Sequence, residues 1–222
     1  MMNGKLIVIE GACDGIGKST QFELLKERLI KEGNEIDNHH FPTYGTIQGA
    51  LVEEYLKGNL GKKEELSPYF IHMLYAADRA ITWDKELKEK YKSGKIILLD
   101  RYTTSSIIYQ AALIKDTEER KAFINYVIDY EYNKLGIKKP DKTIFLNADF
   151  DVVTKLRNRR KDNDGIENDI HELDIDFMKK VYDNSLFCAH YLGWDIINCS
   201  DKDRMFSKEE IHEEVYKLVR KR

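Results

Sequence analysis

An α/β fold with a parallel sheet covered by helices on both faces is predicted by three observations. Apolar runs of strand length alternate with helical patterns along the chain. The first run, KLIVI, passes directly into a glycine-rich turn and then an amphipathic helix. The 222 residues, 42% of them apolar, suffice for one sizeable core without a linker, internal repeat or low-complexity tract. The expectation is a single domain over residues 1–222: a three-layer sandwich around a five-stranded parallel sheet.

The strands expected in order are Lys5 to Ile9, Glu35 to Phe41, Lys95 to Leu99, Lys142 to Asn147 and Trp194 to Cys199. Helices fill the gaps. After the first turn, Phe22, Leu25 and Leu29 recur at helical spacing, and Gly33 stands where a glycine ends a helix. Near the end, Ser207 and Glu210 form a capping-box pattern ahead of Ile211, Val215 and Leu218, which predicts a last helix packed on the sheet.

The turn after the first strand reads GACDGIGKST from residue 11 to 20, a phosphate-binding loop in the strand–turn–helix context that such a loop requires. Backbone N–H groups of Asp14, Gly15, Ile16, Gly17, Lys18, Ser19 and Thr20, with the positive end of the helix, make a concavity for nucleotide phosphates. Lys18 is placed to reach the β and γ phosphates, and Ser19 to ligate Mg²⁺. The spacing departs from the strict motif: Ala12 occupies the first glycine's place and Cys13 extends the turn by one residue. A thiol beside a helix N-terminus can be acidified and reactive, or it can be a small buried side chain without chemistry.

The net charge of −3 comes from many charges of both signs, which argues against a nucleic-acid surface. Cys13, Cys188 and Cys199 lack paired or metal-ligand spacing, as expected in a reducing compartment. No signal-peptide pattern precedes the first strand and no run approaches membrane-spanning length, so a cytoplasmic location is expected. Asp100 closes the third strand beside the loop, where a carboxylate can hold Mg²⁺ or its waters, and Arg101 offers a planar fork for phosphate oxygens. His39 and His40 are adjacent on a strand and point to opposite faces, so they cannot chelate one metal and read as structural.

Taken together, Phe41 and Pro42 after the second strand, LYAADRA at 74–80, DRYTTSSIIYQ at 100–110 and the loop ending DGIGKSTQ resemble the thymidylate kinase family. Pro140 and Asp141 before a strand, then a basic segment and a long helix, continue the match. The resemblance implies a P-loop NTPase fold and transfer of a phosphoryl group from MgATP to dTMP, giving dTDP for dTTP biosynthesis. It implies that Tyr75 stacks on thymine and that Arg79, one helical turn later, donates to a pyrimidine carbonyl or to the monophosphate. Asp14 matches the carboxylate that accepts from the deoxyribose 3′-OH, and Tyr109 the tyrosine that discourages a 2′-hydroxyl. Ser105, Ser106 and Gln110 line the same face or its neighbour.

Where relatives carry an arginine after the Phe and Pro, this chain has Thr43 and Tyr44. Tyr44 can offer a neutral hydrogen bond, which leaves Arg101 and Arg79 to carry more of the clamp on the acceptor phosphate. The segment from Arg157 to Glu172 has apolar residues only at Ile166 and Ile170 and is expected to be a mobile lid (about 157–172). Gly15 follows Asp14, which resembles the members that supply the catalytic arginine from the lid. Arg157, Arg159 and Arg160 are the candidates, with nothing to choose among them. A homodimer is also implied, which the apolar pattern of Ile107, Ile108, Ala111 and Leu113 permits. A kinase for another monophosphate or a nucleoside, and a non-catalytic ATP-binding switch, are the alternatives.

Overall fold

The computed structural model describes residues 4–11, 15–63, 65–155, 175–201 and 204–221. Five strands form, β1 (Lys5–Gly11), β2 (Ile36–His40), β3 (Ile96–Asp100), β4 (Lys142–Asn147) and β5 (Asp195–Asn198), each within two residues of its expected bounds. They pair in the order β2-β3-β1-β4-β5, every pair parallel. Ile9 of β1 and His40 of β2 both stand level with Asp100 of β3. Strands β1, β2 and β3 therefore release their following loops at one edge, where ligands bind in sheets of this kind.

Helix α1 (Lys18–Lys31) buries Phe22, Leu25 and Leu29. It ends as the sequence predicts: Gly33 takes φ 83°, its N–H bonds Ile30 O, and Asn34 N–H bonds Leu29 O. After the short α2 (Ala50–Leu56), α3 (Pro68–Thr82) starts at Ser67, whose hydroxyl accepts from Phe70 N, with Pro68 in the first turn. It runs through a π turn (Trp83–Leu87) into α4 (Lys88–Lys92). Past α5 (Thr103–Tyr109), α6 (Thr117–Ile128) continues into a second π turn (Asp129–Lys134). The long α7 (Ile175–Leu192) and α8 (Lys208–Arg220) follow, and Ser207 and Glu210 close the expected capping box.

Alternation along the strands sets the layers. Ile7, Ile9 and Leu98 pack with Phe22 and Leu25 of α1 and Val215 and Val219 of α8. Their neighbours Leu6, Val8, Ile97 and Leu99 point the other way, against Trp83, Leu87 and Tyr102. Ile107 and Ala111 join Phe123, Ile124 and Val127 of α6 in a third cluster. So Ile107, Ile108 and Ala111, expected to permit a subunit face, are buried inside the protomer instead. On α3 and α6 the exposed large apolar side chains are Tyr69, Phe70 and Met73, and Tyr126. No helix among the described residues is long and apolar enough to cross a membrane.

Candidate active site

A cavity of about 260 Å³ opens at the shared strand edge. Its lining includes Lys18 and Ser19 from the start of α1, Phe41, Pro42 and Tyr44 after β2, Tyr75 and Arg79 from α3, Asp100 and Arg101 at the end of β3, and Ser105, Ser106, Tyr109 and Gln110 from α5 and its C-terminus. Residues from four separate stretches of sequence thus share one hollow. His40, Leu56, Tyr102 and Met178 also line it, and sequence reasoning had singled out none of them for the site.

In the loop, Gly15 and Gly17 both take φ 93°, the left-handed region that a side chain strains to reach. Gly17 caps α1 without any side-chain cap, so the first N–H groups of a 14-residue helix are not claimed by a capping side chain. Ile16 contributes only its backbone there, because its side chain is buried in the core. Lys18 is buried, Ser19 exposed and Thr20 half-buried. Asp14 and Cys13 lie outside the described residues, as do Arg157, Arg159, Arg160 and the whole of 157–172.

At the end of β3, Asp100 Oδ2 lies 3.2 Å from His40 Nδ1. Burial pushes the Asp100 pKa up, but the His40 hydrogen bond and the charges of Lys18 and Arg101 outweigh it and hold the carboxyl below its usual range. Its other oxygen, Oδ1, is buried and accepts no hydrogen bond among the described residues. An orphaned carboxylate oxygen on the wall of a cavity that Ser19 also lines suits a divalent cation. Among the described residues no group of three or more His, Cys, Asp or Glu could hold a metal. The fit is to an ion that relies on ligand phosphates for most of its shell. His40 lines the cavity and holds Asp100, whereas His39 turns to Phe41, ring centroids 4.8 Å apart.

Arg101 follows with φ 66°, unusual for a side-chain-bearing residue and common where function fixes the backbone. Its guanidinium sits 5.5 Å from the Tyr109 ring centroid, within cation–π range.

The helical wall rests on buried carboxylates that sequence reasoning missed. Arg79 is 1% exposed. Its Nε and Nη2 each donate at 2.7 Å to Glu131 in the second π turn, and Nη2 donates also to Ser106 Oγ at 2.7 Å. Asp78 accepts from Thr43 N at 2.9 Å and from the Thr43 hydroxyl, which ties the Phe41–Pro42 corner, a cis peptide, to α3. Glu10 of β1 accepts from Thr104 Oγ1 at 2.8 Å and Ser105 Oγ at 2.6 Å, which pins the start of α5 under the cavity. Gln110 is buried and its Oε1 has no partner among the described residues.

A family model described as thymidylate kinase matches residues 9–215. The chain belongs to the thymidylate kinase family. Among family members, the thymidylate kinase of Thermoanaerobacter sp. (strain X514) is 35% identical over 180 residues, 81% of each chain. That of Halothermothrix orenii is 33% identical and covers 99% of this chain and 98% of its own. A solved thymidylate kinase from Candida albicans matches with a TM-score of 0.73 at 26% identity, over 98% of this chain and 91% of that one. A thymidylate kinase fold therefore carries the Thr43 and Tyr44 of this chain.

Proposed function

We propose that this chain transfers the γ-phosphoryl group of ATP to the phosphate of dTMP, releasing dTDP and ADP, as a nucleoside monophosphate kinase of dTTP biosynthesis. The observation that carries the reading is that a phosphate loop and an apparent acceptor set open into one cavity. A nucleotide switch has no use for the second set.

The acceptor phosphate is already nucleophilic, so no covalent intermediate or strong base is needed, and positioning and charge stabilisation supply most of the catalysis. Lys18 and the first N–H groups of α1 bind the donor phosphates. Arg101 binds the acceptor phosphate and steadies the charge on the moving group, with Arg157, Arg159 and Arg160 as lid candidates. Ser19 and Asp100 hold Mg²⁺, which when bound offsets charge on the donor phosphates. Tyr75 supplies the surface for the base. Beside it, Arg79 brings donors and Gln110 Oε1 an unused acceptor, which suits a pyrimidine edge carrying a carbonyl next to a ring N–H. Asp14 and Tyr109 act on the deoxyribose; Phe41, Pro42, Tyr44, Ser105 and Ser106 complete the wall. The chain works as one domain in the cytoplasm and pairs as a homodimer through the exposed Tyr69, Phe70, Met73 and Tyr126.

A coupled ADP-release assay across dTMP, dUMP, dCMP, dGMP and free nucleosides tests this reading. Turnover is expected to be highest with dTMP. Equal turnover with every monophosphate, preference for a nucleoside, or ATP binding without turnover would overturn it.

A further inference from the structure

We infer that Glu131 is a positioning residue that commits Arg79 to the base of the acceptor and withdraws it from the acceptor phosphate. The inference rests on the reading that the acceptor is a pyrimidine monophosphate.

Glu131 is wholly buried, and both of its oxygens face Arg79: Oε2 accepts from Nε and Oε1 from Nη2. Thr103 Oγ1 donates to Oε2 at 2.8 Å and holds the carboxylate from behind. A guanidinium has five N–H donors, and here the Nε donor and both on Nη2 are spent on Glu131 and Ser106. Nη1 keeps only a long 3.5 Å contact to Tyr102 O. It is the edge of Arg79 left for a ligand in the cavity that Arg79 lines.

The charge balance points the same way. Glu131 pairs with Arg79 in a fork–fork geometry out of water, and Asp78, the preceding residue on α3, is a second buried carboxylate. Two carboxylates around one guanidinium leave no positive field for a dianionic phosphate. A neutral base carbonyl accepts from Nη1 without that repulsion. Arg101, which lines the strand-end side of the same cavity, is the arginine for the acceptor phosphate. With Thr43 and Tyr44 where relatives carry an arginine, a neutralised Arg79 cannot serve as the replacement.

The test compares Glu131→Gln with the unaltered enzyme on dTMP and on 5-methyl-dCMP, in which an amino group replaces the 4-carbonyl of the base, and measures binding of thymidine and of inorganic phosphate by calorimetry. Freed from its partner, Arg79 turns toward anions. The preference for dTMP over 5-methyl-dCMP should then fall at least about tenfold, mainly through KM for dTMP. Thymidine should bind more weakly and inorganic phosphate more tightly. If every acceptor and probe weakens by one common factor, Glu131 is only structural and the inference is overturned; unchanged preference overturns it equally. Should Glu131→Gln fail to fold, the paired Arg79→Leu/Glu131→Leu variant removes both charges and is expected to fold. It should show the same lost preference without the gain in phosphate binding; retained preference overturns the inference. An unaltered enzyme that does not phosphorylate dTMP at all would instead sink the reading beneath it.

Discussion

The two walls of the cavity are built differently. The strand-end wall, Lys18, Ser19, Asp100 and Arg101, comes from short contiguous stretches, and its geometry is set by the loop glycines and by strands that finish level. The helical wall, Tyr75, Arg79, Ser106 and Gln110, is held from behind by Glu131, and its neighbouring corner by Asp78, across sequence separations of 52 and 35 residues. The first wall is a local motif and tolerates change around it. The second is a buried polar network, in which each partner's loss strands another.

The largest expected effect lies on the first wall. Lys18→Ala should lower kcat about a thousandfold while thermal unfolding shifts little; near-normal turnover would break the assignment. Behind the second wall, the effect falls on stability. His72 is wholly buried, its Nδ1 3.6 Å from Glu131 Oε1, and burial lowers its pKa to about 4, against a smaller upward pull from Glu131 and a downward one from Arg79. The folded state thus takes up the proton later than the unfolded chain. Stability is full above pH 6.5 and drains as pH falls toward 4, by about 3 kcal/mol in all. Urea unfolding across that window should show the slope, and His72→Leu should flatten it; an unchanged slope would place the titration elsewhere.

Asp78→Ala removes the acceptor for Thr43 and should cost about 2 kcal/mol in urea unfolding, with a higher KM for dTMP as the Phe41–Pro42 corner loosens. If KM holds, that corner does not depend on α3. The smallest effect is expected at the seam of the two walls. His40→Ala should weaken Mn²⁺ binding to the ADP complex severalfold, read by electron paramagnetic resonance, because Asp100 Oδ2 loses its hydrogen-bond partner. No change would detach His40 from the metal site.

The same contrast governs what was legible in the sequence. Strands and the helix ends at Gly33 and Ser207 are encoded by neighbours in the chain, and each appears within two residues of where spacing put it. Glu131, Asp78 and Glu10 look in sequence like ordinary charges on helices or at a strand end. Only packing reveals them as buried braces. One signal was present: Phe123, Val127 and Glu131 recur every four residues on the buried face of α6 and its π turn, so a carboxylate in that series demands a partner. The bond of His40 to Asp100 was not legible because strand alternation gives its direction without showing that its strand ends level with Asp100. Ile107, Ile108 and Ala111 were misplaced because an apolar series does not say whether a helix or another subunit covers it.

The most direct test is a crystal structure with ADP and dTMP bound together. The account predicts thymine on Tyr75 within reach of Arg79 Nη1, the acceptor phosphate on Arg101, and the donor phosphates on Lys18. Thymine bound away from Tyr75, or an acceptor phosphate on Arg79 in place of Arg101, would contradict it.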